Sequence, residues 1–158
     1  MEYKTGIVTG GMQGIGLAYV KALLERSYHV VIIDKHVDND TIKLLESQFG
    51  ESKIKNVIKD IKDKDNLIQG IIECNNILLK NDDKTVDVIV FNAGIYGFFF
   101  ENMDDIFQIN LLHAIRGSEM IIKDATDGLK VPSKKDVLIA ITSSTNGIIP
   151  ADSDFAPW

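Results

Sequence analysis

Four glycines lie close together near the start of the chain, in the run Thr9-Gly10-Gly11-Met12-Gln13-Gly14-Ile15-Gly16. The run follows a short apolar segment and precedes an amphipathic stretch, which is typical of a turn between a strand and a helix. Glycine lets the backbone approach an anion closely, and the following helix would direct unpaired N–H groups at it. The loop therefore predicts a site for the diphosphate of a dinucleotide, although glycines that serve only packing would give the same pattern. Its candidate binding residues are Gly10, Met12, Gln13, Gly14, Ile15 and Gly16.

A carboxylate, Asp34, ends the next apolar run, eighteen residues after Gly16. A ribose-binding acid is expected about 20 residues beyond such a glycine loop. A carboxylate there accepts hydrogen bonds from ribose hydroxyls and repels a 2′-phosphate, by about 4 kcal/mol at ~4 Å in an intermediate dielectric. We therefore expect NAD rather than NADP, with the adjacent Lys35 as a further cofactor-binding candidate that would soften the repulsion. A helix cap or a surface acid is the alternative interpretation of Asp34.

The glycine spacing distinguishes this loop from two other phosphate-binding loops. It is not the G-x-G-x-x-G of two-domain dehydrogenases, and no Gly-Lys-Ser/Thr follows it as in a P-loop. The run Thr9-Gly10-x-x-x-Gly14-Ile15-Gly16 resembles the glycine motif in the single-domain branch of the short-chain dehydrogenase/reductase family. The resemblance implies a Rossmann fold and hydride transfer between a nicotinamide and a secondary alcohol or ketone.

Two further motifs of that family have matches here. Asp60-Ile61 resembles the pair that receives the adenine ring, although a helix-capping acid would look the same. Asn92-Ala93-Gly94 resembles the end of the Asn-Asn-Ala-Gly motif beside the cofactor ribose, with Phe91 in place of the first Asn. Within the family, the stretches 11–16, 108–119 and 143–150 are most similar to NAD-dependent 15-hydroxyprostaglandin dehydrogenases and insect-type alcohol dehydrogenases. That similarity implies a prostaglandin-like or other lipid alcohol as one candidate substrate.

Two residues have catalytic roles by the same resemblance. Asn110 matches an Asn that holds a water in a proton relay, and an Asn inside an apolar helix also needs a hydrogen-bonding partner. Ser144 matches the Ser that binds the substrate hydroxyl or carbonyl, although a turn serine after a strand is the alternative. His113 matches no role in the family and is interpreted as a surface or packing histidine.

The family's general base, the Tyr of a Tyr-x-x-x-Lys motif, has no match. No Tyr or Lys follows Ser144. We therefore expect the chain to be the N-terminal part of a longer enzyme, truncated before that motif and inactive as 158 residues. The alternatives are a dinucleotide-binding protein that has lost its catalytic base, and a structural or partner-binding protein whose glycines serve only packing.

The elements that must position these residues follow from the apolar pattern. Short β-branched runs alternate with amphipathic stretches, which predicts an α/β fold with a doubly wound parallel sheet in one domain, residues 1–158. By the resemblance, the last strands and helices of the family are lacking. The carboxyl ends of parallel strands meet at one edge, so the glycine loop, Asp34, Asp60 and Asn92 would come together there. The predicted strands are 6–9, 30–33, 54–58, 86–91 and 137–142, and the predicted helices are about 15–26, 39–49, 64–79 and 103–125.

Composition limits the partners. The net charge of −6 and the pI near 5.0 disfavour nucleic-acid binding. No apolar stretch approaches the ~20 residues of a membrane span, and residues 1–5 show no signal peptide. The single cysteine, Cys74, indicates a reducing compartment, so we expect a cytoplasmic protein, and we expect no metal site. The resemblance implies a small-molecule alcohol or ketone as substrate and a homo-oligomer when the protein is full length, formed through the helix that carries Asn110 and the helix after it.

Overall fold

The computed structural model of the protein describes residues 4–78, 86–96, 99–122 and 137–143. Strands and helices alternate along the chain, with a 3-10 turn over Glu51–Lys53 and a π-helical turn over Gln108–Leu112. The strands are β1 (Lys4–Thr9), β2 (Tyr28–Asp34), β3 (Ile54–Ile58), β4 (Val88–Phe91) and β5 (Leu138–Ile141). The helices are α1 (Gly14–Glu25), α2 (Asn39–Phe49), α3 (Lys64–Leu78), α4 (Phe99–Phe107) and α5 (His113–Ile122).

The five strands form one sheet in the order β3-β2-β1-β4-β5, and every neighbouring pair is parallel. The predicted doubly wound α/β fold is confirmed. The chain runs outward from β1 in one direction to β2 and β3, and then in the other direction to β4 and β5. This reversal leaves a crevice at the carboxyl ends of β1 and β4, where open α/β sheets bind ligands. Thr9 pairs with Ile33 on one side and with Phe91 on the other, so it lies at the head of that crevice.

The core has two halves, one on each face of the sheet, because successive strand residues point to opposite faces. Ile7, Val31 and Ile33 face a cluster that includes residues of α3 and α5, and Val8 and Ile32 face one that includes residues of α1 and α2. Each such buried side chain contributes about 1.5–3 kcal/mol relative to an exposed one. These two clusters hold the strand ends at fixed positions under the crevice.

The two edge strands, β3 and β5, are less fully buried than the central strands. In β3, Lys55 and Ile58 are exposed and Asn56 is half-buried, so only Ile54 and Val57 of this strand are buried. In β5, Leu138 and Ile141 are also exposed. A central strand has neighbours on both sides, whereas an edge strand has only one, and helices cover its faces less fully.

The long predicted helix over 103–125 is two α-helices joined by the π turn. The first of them begins earlier than predicted, at Phe99. The predicted residues after Ile122 lie outside the described ranges. Leu79, at the end of the third predicted helix, also lies outside them. A π turn contains one more residue per hydrogen-bonded ring than an α turn, and such insertions are frequent at functional sites. None of the helices within the described ranges is both long and apolar enough to cross a bilayer.

The end of β4 packs closely against α5, because a large side chain on the strand lies against a glycine on the helix. Phe91 is almost fully buried, and its ring lies edge-on to the ring of His113, with 5.7 Å between centroids. A Cβ atom added to Gly117 would overlap the Phe91 ring. The close approach of α5 to the sheet therefore depends on glycine at this position.

We expect Gly117→Ala to lower the free energy of unfolding by about 1–3 kcal/mol, because overpacking forces the Phe91 ring or the helix to move. Urea denaturation measures this change. Phe91→Leu in the same chain should recover part of the loss by making room for the new methyl group. Gly70→Ala is the matched control: it is also a buried helix glycine, but its added Cβ would lie 3.3 Å from the nearest atom, in the flexible Lys59 side chain, and would not overlap it. The better helix propensity of Ala should make that variant neutral or slightly more stable, and equal losses in both variants would contradict the explanation.

Candidate functional site

A cleft of about 420 Å³ opens at the carboxyl ends of the strands, at the reversal point between β1 and β4. It brings together most of the residues that the sequence singled out, from four separate segments of the chain. The predicted site residues that line it are Gly10, Gln13, Gly14, Ile15, Asp34, Lys35, Asp60, Ile61, Asn92, Ala93 and Gly94.

The glycine loop forms one wall of the cleft. Gly10 and Gly14 have φ values of +65° and +54°, the left-handed region that favours glycine. A Cβ atom at Gly16 would overlap the Gly10 carbonyl, whereas one at Gly14 would have no neighbour within 4 Å. Gly16 therefore allows the loop to fold back on itself, and Gly14 leaves open space in front of it.

The first turn of α1 faces the same open space. The side chain of Gln13, at the N-cap, makes no capping hydrogen bond. The first backbone N–H groups of a helix have no intrahelical partner and carry the positive end of the helix dipole. The combination of uncapped N–H groups with a loop that has no Cβ in the way fits an anion such as a diphosphate.

Asp34 is held in place by backbone groups on both sides. Its Oδ2 accepts a hydrogen bond from the Met12 N–H at 3.2 Å, and its Oδ1 accepts one from the His36 N–H at 3.3 Å. Each carboxylate oxygen keeps a further lone pair. Asp34 can therefore still accept hydrogen bonds from hydroxyl groups in the cleft.

Asn92 joins three strands at the floor of the cleft. Its Nδ2 donates to the Gly10 carbonyl at 3.3 Å, and its Oδ1 accepts from the Thr142 hydroxyl at 3.0 Å. The Thr9 hydroxyl accepts hydrogen bonds from the backbone N–H groups of Asn92 at 3.0 Å and Ala93 at 3.1 Å. The ends of β1, β4 and β5 are thus tied together below the glycine loop.

Asn110 lies in the π turn and has the partner that its position requires. Its Oδ1 accepts from the Ile95 N–H at 2.8 Å, and its Nδ2 donates to the Ile95 carbonyl at 2.9 Å. Both backbone groups of the segment that follows β4 are therefore fixed by one side chain. The role of Asn110 in a proton relay stays a prediction, and Ser144 lies outside the described residues.

Three predicted site residues within the described ranges do not line the cleft: Met12, Gly16 and Asn110. The Met12 side chain packs in the core, and only its backbone reaches Asp34. Gly16 acts behind the loop, where it makes room for the Gly10 carbonyl. His113 is buried, so its interpretation as a packing residue is confirmed and a surface position is wrong.

Several lining residues escaped the sequence analysis, namely Ile33, Lys59, Ile95, Ile109 and Thr142. Lys59 and Thr142 directly follow β3 and β5, so the rule that ligands bind at strand ends is a signal that could have found them. Lys59 also forms an ion pair with Glu73 at 2.8 Å. Within the described part of the chain, no group of three or more His, Cys, Asp or Glu side chains is arranged to hold a metal ion.

Comparison with known proteins agrees with this geometry. A family model described as short chain dehydrogenase matches residues 4–154. The chain is 28% identical over 155 residues to human 15-hydroxyprostaglandin dehydrogenase, whose name specifies NAD(+), covering 93% of this chain and 52% of that enzyme. It is 30% identical over 118 residues to the uncharacterized oxidoreductase TDA5 of Saccharomyces cerevisiae, covering 69% of this chain and 33% of that protein.

A solved structure with the same fold is the 3-oxoacyl-[acyl-carrier protein] reductase of Brucella melitensis in complex with NAD. The TM-score is 0.75 at 23% identity, over 96% of this chain and 59% of that one. At this level of identity the likeness concerns the fold alone. The chain spans about half of the length of the human enzyme and a third of the length of the yeast protein.

Proposed function

The chain belongs to the short chain dehydrogenase family, and we propose that the protein is an NAD-dependent oxidoreductase that acts on a secondary alcohol or ketone. The observation that carries this proposal is the cleft in which the glycine loop and the Asp34 carboxylate lie side by side. When bound, the nicotinamide accepts or donates a hydride, and the residues described here bind and orient it. The proposal takes residues 1–158 as a single dinucleotide-binding domain.

The cleft suits the two polar parts of a dinucleotide. The diphosphate would lie against Gly14 and the N-terminus of α1, where the open space and the unpaired N–H groups occur together. The adenosine ribose would lie at Asp34, with Asp60 and Ile61 beside the adenine ring. These assignments follow the order of the residues along the cleft and the family resemblance.

A preference for NAD over NADP is part of the proposal. Both Asp34 oxygens are held by backbone N–H groups, so the carboxylate cannot easily turn away from a 2′-phosphate. Charged acceptors form hydrogen bonds of about 1.5–3 kcal/mol with hydroxyl groups, which favours the free ribose. Lys35 also lines the cleft and partly offsets the negative charge.

The other end of the cleft would receive the nicotinamide and the substrate. Asn92, Ala93 and Gly94 line that end, and Asn110 fixes the backbone of Ile95 beside it. We assign Ser144 to the substrate hydroxyl or carbonyl and Asn110 to the proton relay, following the resemblance. The likeness to human 15-hydroxyprostaglandin dehydrogenase supports a lipid alcohol as one candidate substrate. A non-catalytic dinucleotide-binding protein remains the second candidate function.

We also propose that the partner is a second copy of the chain. Met103, Phe107, Leu111 and Ile115 occur every fourth residue along α4, the π turn and α5, and all four are exposed. Residues four apart lie on one helix face, so they form an apolar stripe. The same helix face on a second copy would cover the stripe with side chains of the same kind. A cytoplasmic location remains a proposal that rests on the single cysteine.

Turnover tests the catalytic proposal. We expect residues 1–158 alone to show negligible turnover, because no Tyr or Lys follows Ser144 to act as the general base. In the full-length enzyme, we expect NAD to be reduced with a secondary alcohol, followed by NADH absorbance, and Ser144→Ala to lower kcat by about 100-fold or more because a polarising hydroxyl is lost. The neighbouring Ser143→Ala is the matched control and should change kcat little. NADH binding by the full-length protein without turnover on any secondary alcohol or ketone would favour the second candidate function, and absence of binding would contradict both.

Calorimetric titration tests the cofactor preference. We expect NADH to bind at least about tenfold more tightly than NADPH, because a like charge beside the 2′-phosphate is unfavourable. Asp34→Asn should reduce the ratio of the NADPH to the NADH dissociation constant by about tenfold, since the amide carries no charge. Asp38→Asn is the control, because Asp38 caps α2 through the Asp40 N–H and does not line the cleft. Equal affinities of the unaltered protein for both dinucleotides would contradict the assignment of Asp34.

Light scattering tests whether the protein associates with a second copy of itself. We expect the protein to be at least a dimer in solution and Phe107→Glu to shift it to the monomer, because a charge buried in an apolar contact is unfavourable. Ile58→Glu is the control: Ile58 is also an exposed apolar residue, but it lies on β3. A monomeric unaltered protein, or dissociation by the Ile58 variant alone, would show that the stripe is not the contact.

A further inference from the structure

A buried histidine next to the cleft takes no part in the dinucleotide contacts proposed above. His113 begins α5, directly after the π turn, and only 2% of its surface is exposed. Its Nε2 atom lies 3.4 Å from the hydroxyl oxygen of Thr9. That hydroxyl is the same group that holds the backbone of Asn92 and Ala93. The ring is therefore connected to the floor of the cleft through one intervening group, the Thr9 hydroxyl.

The hydrogen bonds of the Thr9 hydroxyl determine how His113 can meet it. A hydroxyl group has two acceptor lone pairs and one proton to donate. The N–H groups of Asn92 and Ala93 occupy the two lone pairs. An N–H at Nε2 of His113 would have no lone pair left to reach. The favourable contact is one in which the Thr9 hydroxyl donates and Nε2 accepts.

This direction of the hydrogen bond fixes the state of the ring. An Nε2 that accepts carries no proton, so the ring is neutral and its proton is on Nδ1. Burial lowers the pKa of His113, which favours the neutral ring, and the Ile109 backbone carbonyl in the preceding turn only partly opposes this. Nδ1 is buried and has no hydrogen-bond partner among the described residues, so the contact at Nε2 is the one that orients the ring. Two groups that contact the ring from other elements, the Thr9 hydroxyl and the Phe91 ring, carry no charge.

Among the described residues, the Thr9 proton has one other acceptor within reach, the Val90 carbonyl at 3.5 Å. That carbonyl belongs to β4, which is part of the sheet, and the contact is at the outer limit of a hydrogen bond. Nε2 of His113 is slightly nearer, at 3.4 Å, which is also long for a hydrogen bond. Removing it would leave the hydroxyl with only the longer contact, and its orientation toward the two N–H groups would be less well defined.

We propose that His113 is a positioning residue for the cofactor cleft: as the neutral Nδ1–H tautomer, it accepts the Thr9 hydroxyl proton and so directs that hydroxyl's lone pairs at the Asn92 and Ala93 amides. The link runs from α5 through β1 to the loop after β4. His113 touches neither cofactor nor substrate in this arrangement. The consequence for binding rests on the proposed function, because it requires a dinucleotide to contact the loop that Thr9 holds.

The tautomer is tested without any substitution and without any ligand. We expect nitrogen NMR of the protein at neutral pH to show His113 with the proton on Nδ1 and an unprotonated, hydrogen-bonded Nε2. In Thr9→Val, which has no hydroxyl, the Nε2 signal should move to the position of a nitrogen that accepts no hydrogen bond. A proton on Nε2, or a signal that does not respond to Thr9→Val, would overturn the proposal.

The positioning role is tested by NADH affinity. We expect His113→Phe to weaken binding roughly five- to tenfold, the effect of one lost hydrogen bond, and His113→Gln, whose amide oxygen can accept at a similar distance, to restore most of it. In the Thr9→Val background, His113→Phe should have no further effect, because both substitutions break the same link.

Ile121→Ala separates positioning from a general loss of stability. Ile121 is buried on the same helix and packs in the core, so its truncation should lower stability without changing NADH affinity. Equal weakening by Ile121→Ala, or additive effects of the Thr9 and His113 substitutions, would overturn the positioning role. If the unaltered protein binds no NADH, the proposed function fails, while the NMR measurement still decides the tautomer and the Thr9 contact.

Discussion

The structure depends on how closely the start of α1 approaches the ends of β1 and β4. Gly16 lies against the Gly10 carbonyl and the Asn92 amide with no room for a side chain. That contact lets Asn92 donate to Gly10 while it accepts from Thr142, so one amide group joins the glycine loop to β5. A larger residue at position 16 would separate the helix from the strands and open the floor of the cleft. The lack of a Cβ atom at Gly16 thus determines both the shape of the phosphate loop and the position of the neighbouring strand ends.

Much of this arrangement could be predicted from the sequence because it follows from local periodicity. The β-branched runs placed all five strands to within about two residues at each end, and helical spacing placed α2 at Asn39–Phe49. The order of elements then fixed the sheet, and Gly10, Gly14, Asp34 and Asn92 came to one edge because parallel strands end there.

The features that the sequence did not predict arise from contacts between distant residues. The π turn contains Asn110, whose amide reaches Ile95 fifteen positions earlier, and an apolar pattern contains no signal for that contact. The side chain of Met12 belongs to the core although its neighbours line the cleft, because the loop turns it inward. The exposure of β3 and β5 reflects their places at the sheet edges, which apolar composition does not specify.

The position of the single cysteine in the core determines how reactive its thiol is. Cys74 lies on α3 against the sheet, is fully buried, and has its pKa raised mainly by burial. Only the thiolate attacks disulfides and alkylating agents, so the folded molecule should be inert toward them. Reaction at this one sulfur would require α3 to lift from β2 and β3, and its rate would track how often that half of the molecule opens. The rate at which a thiol reagent modifies Cys74 therefore measures the local unfolding of this half of the molecule.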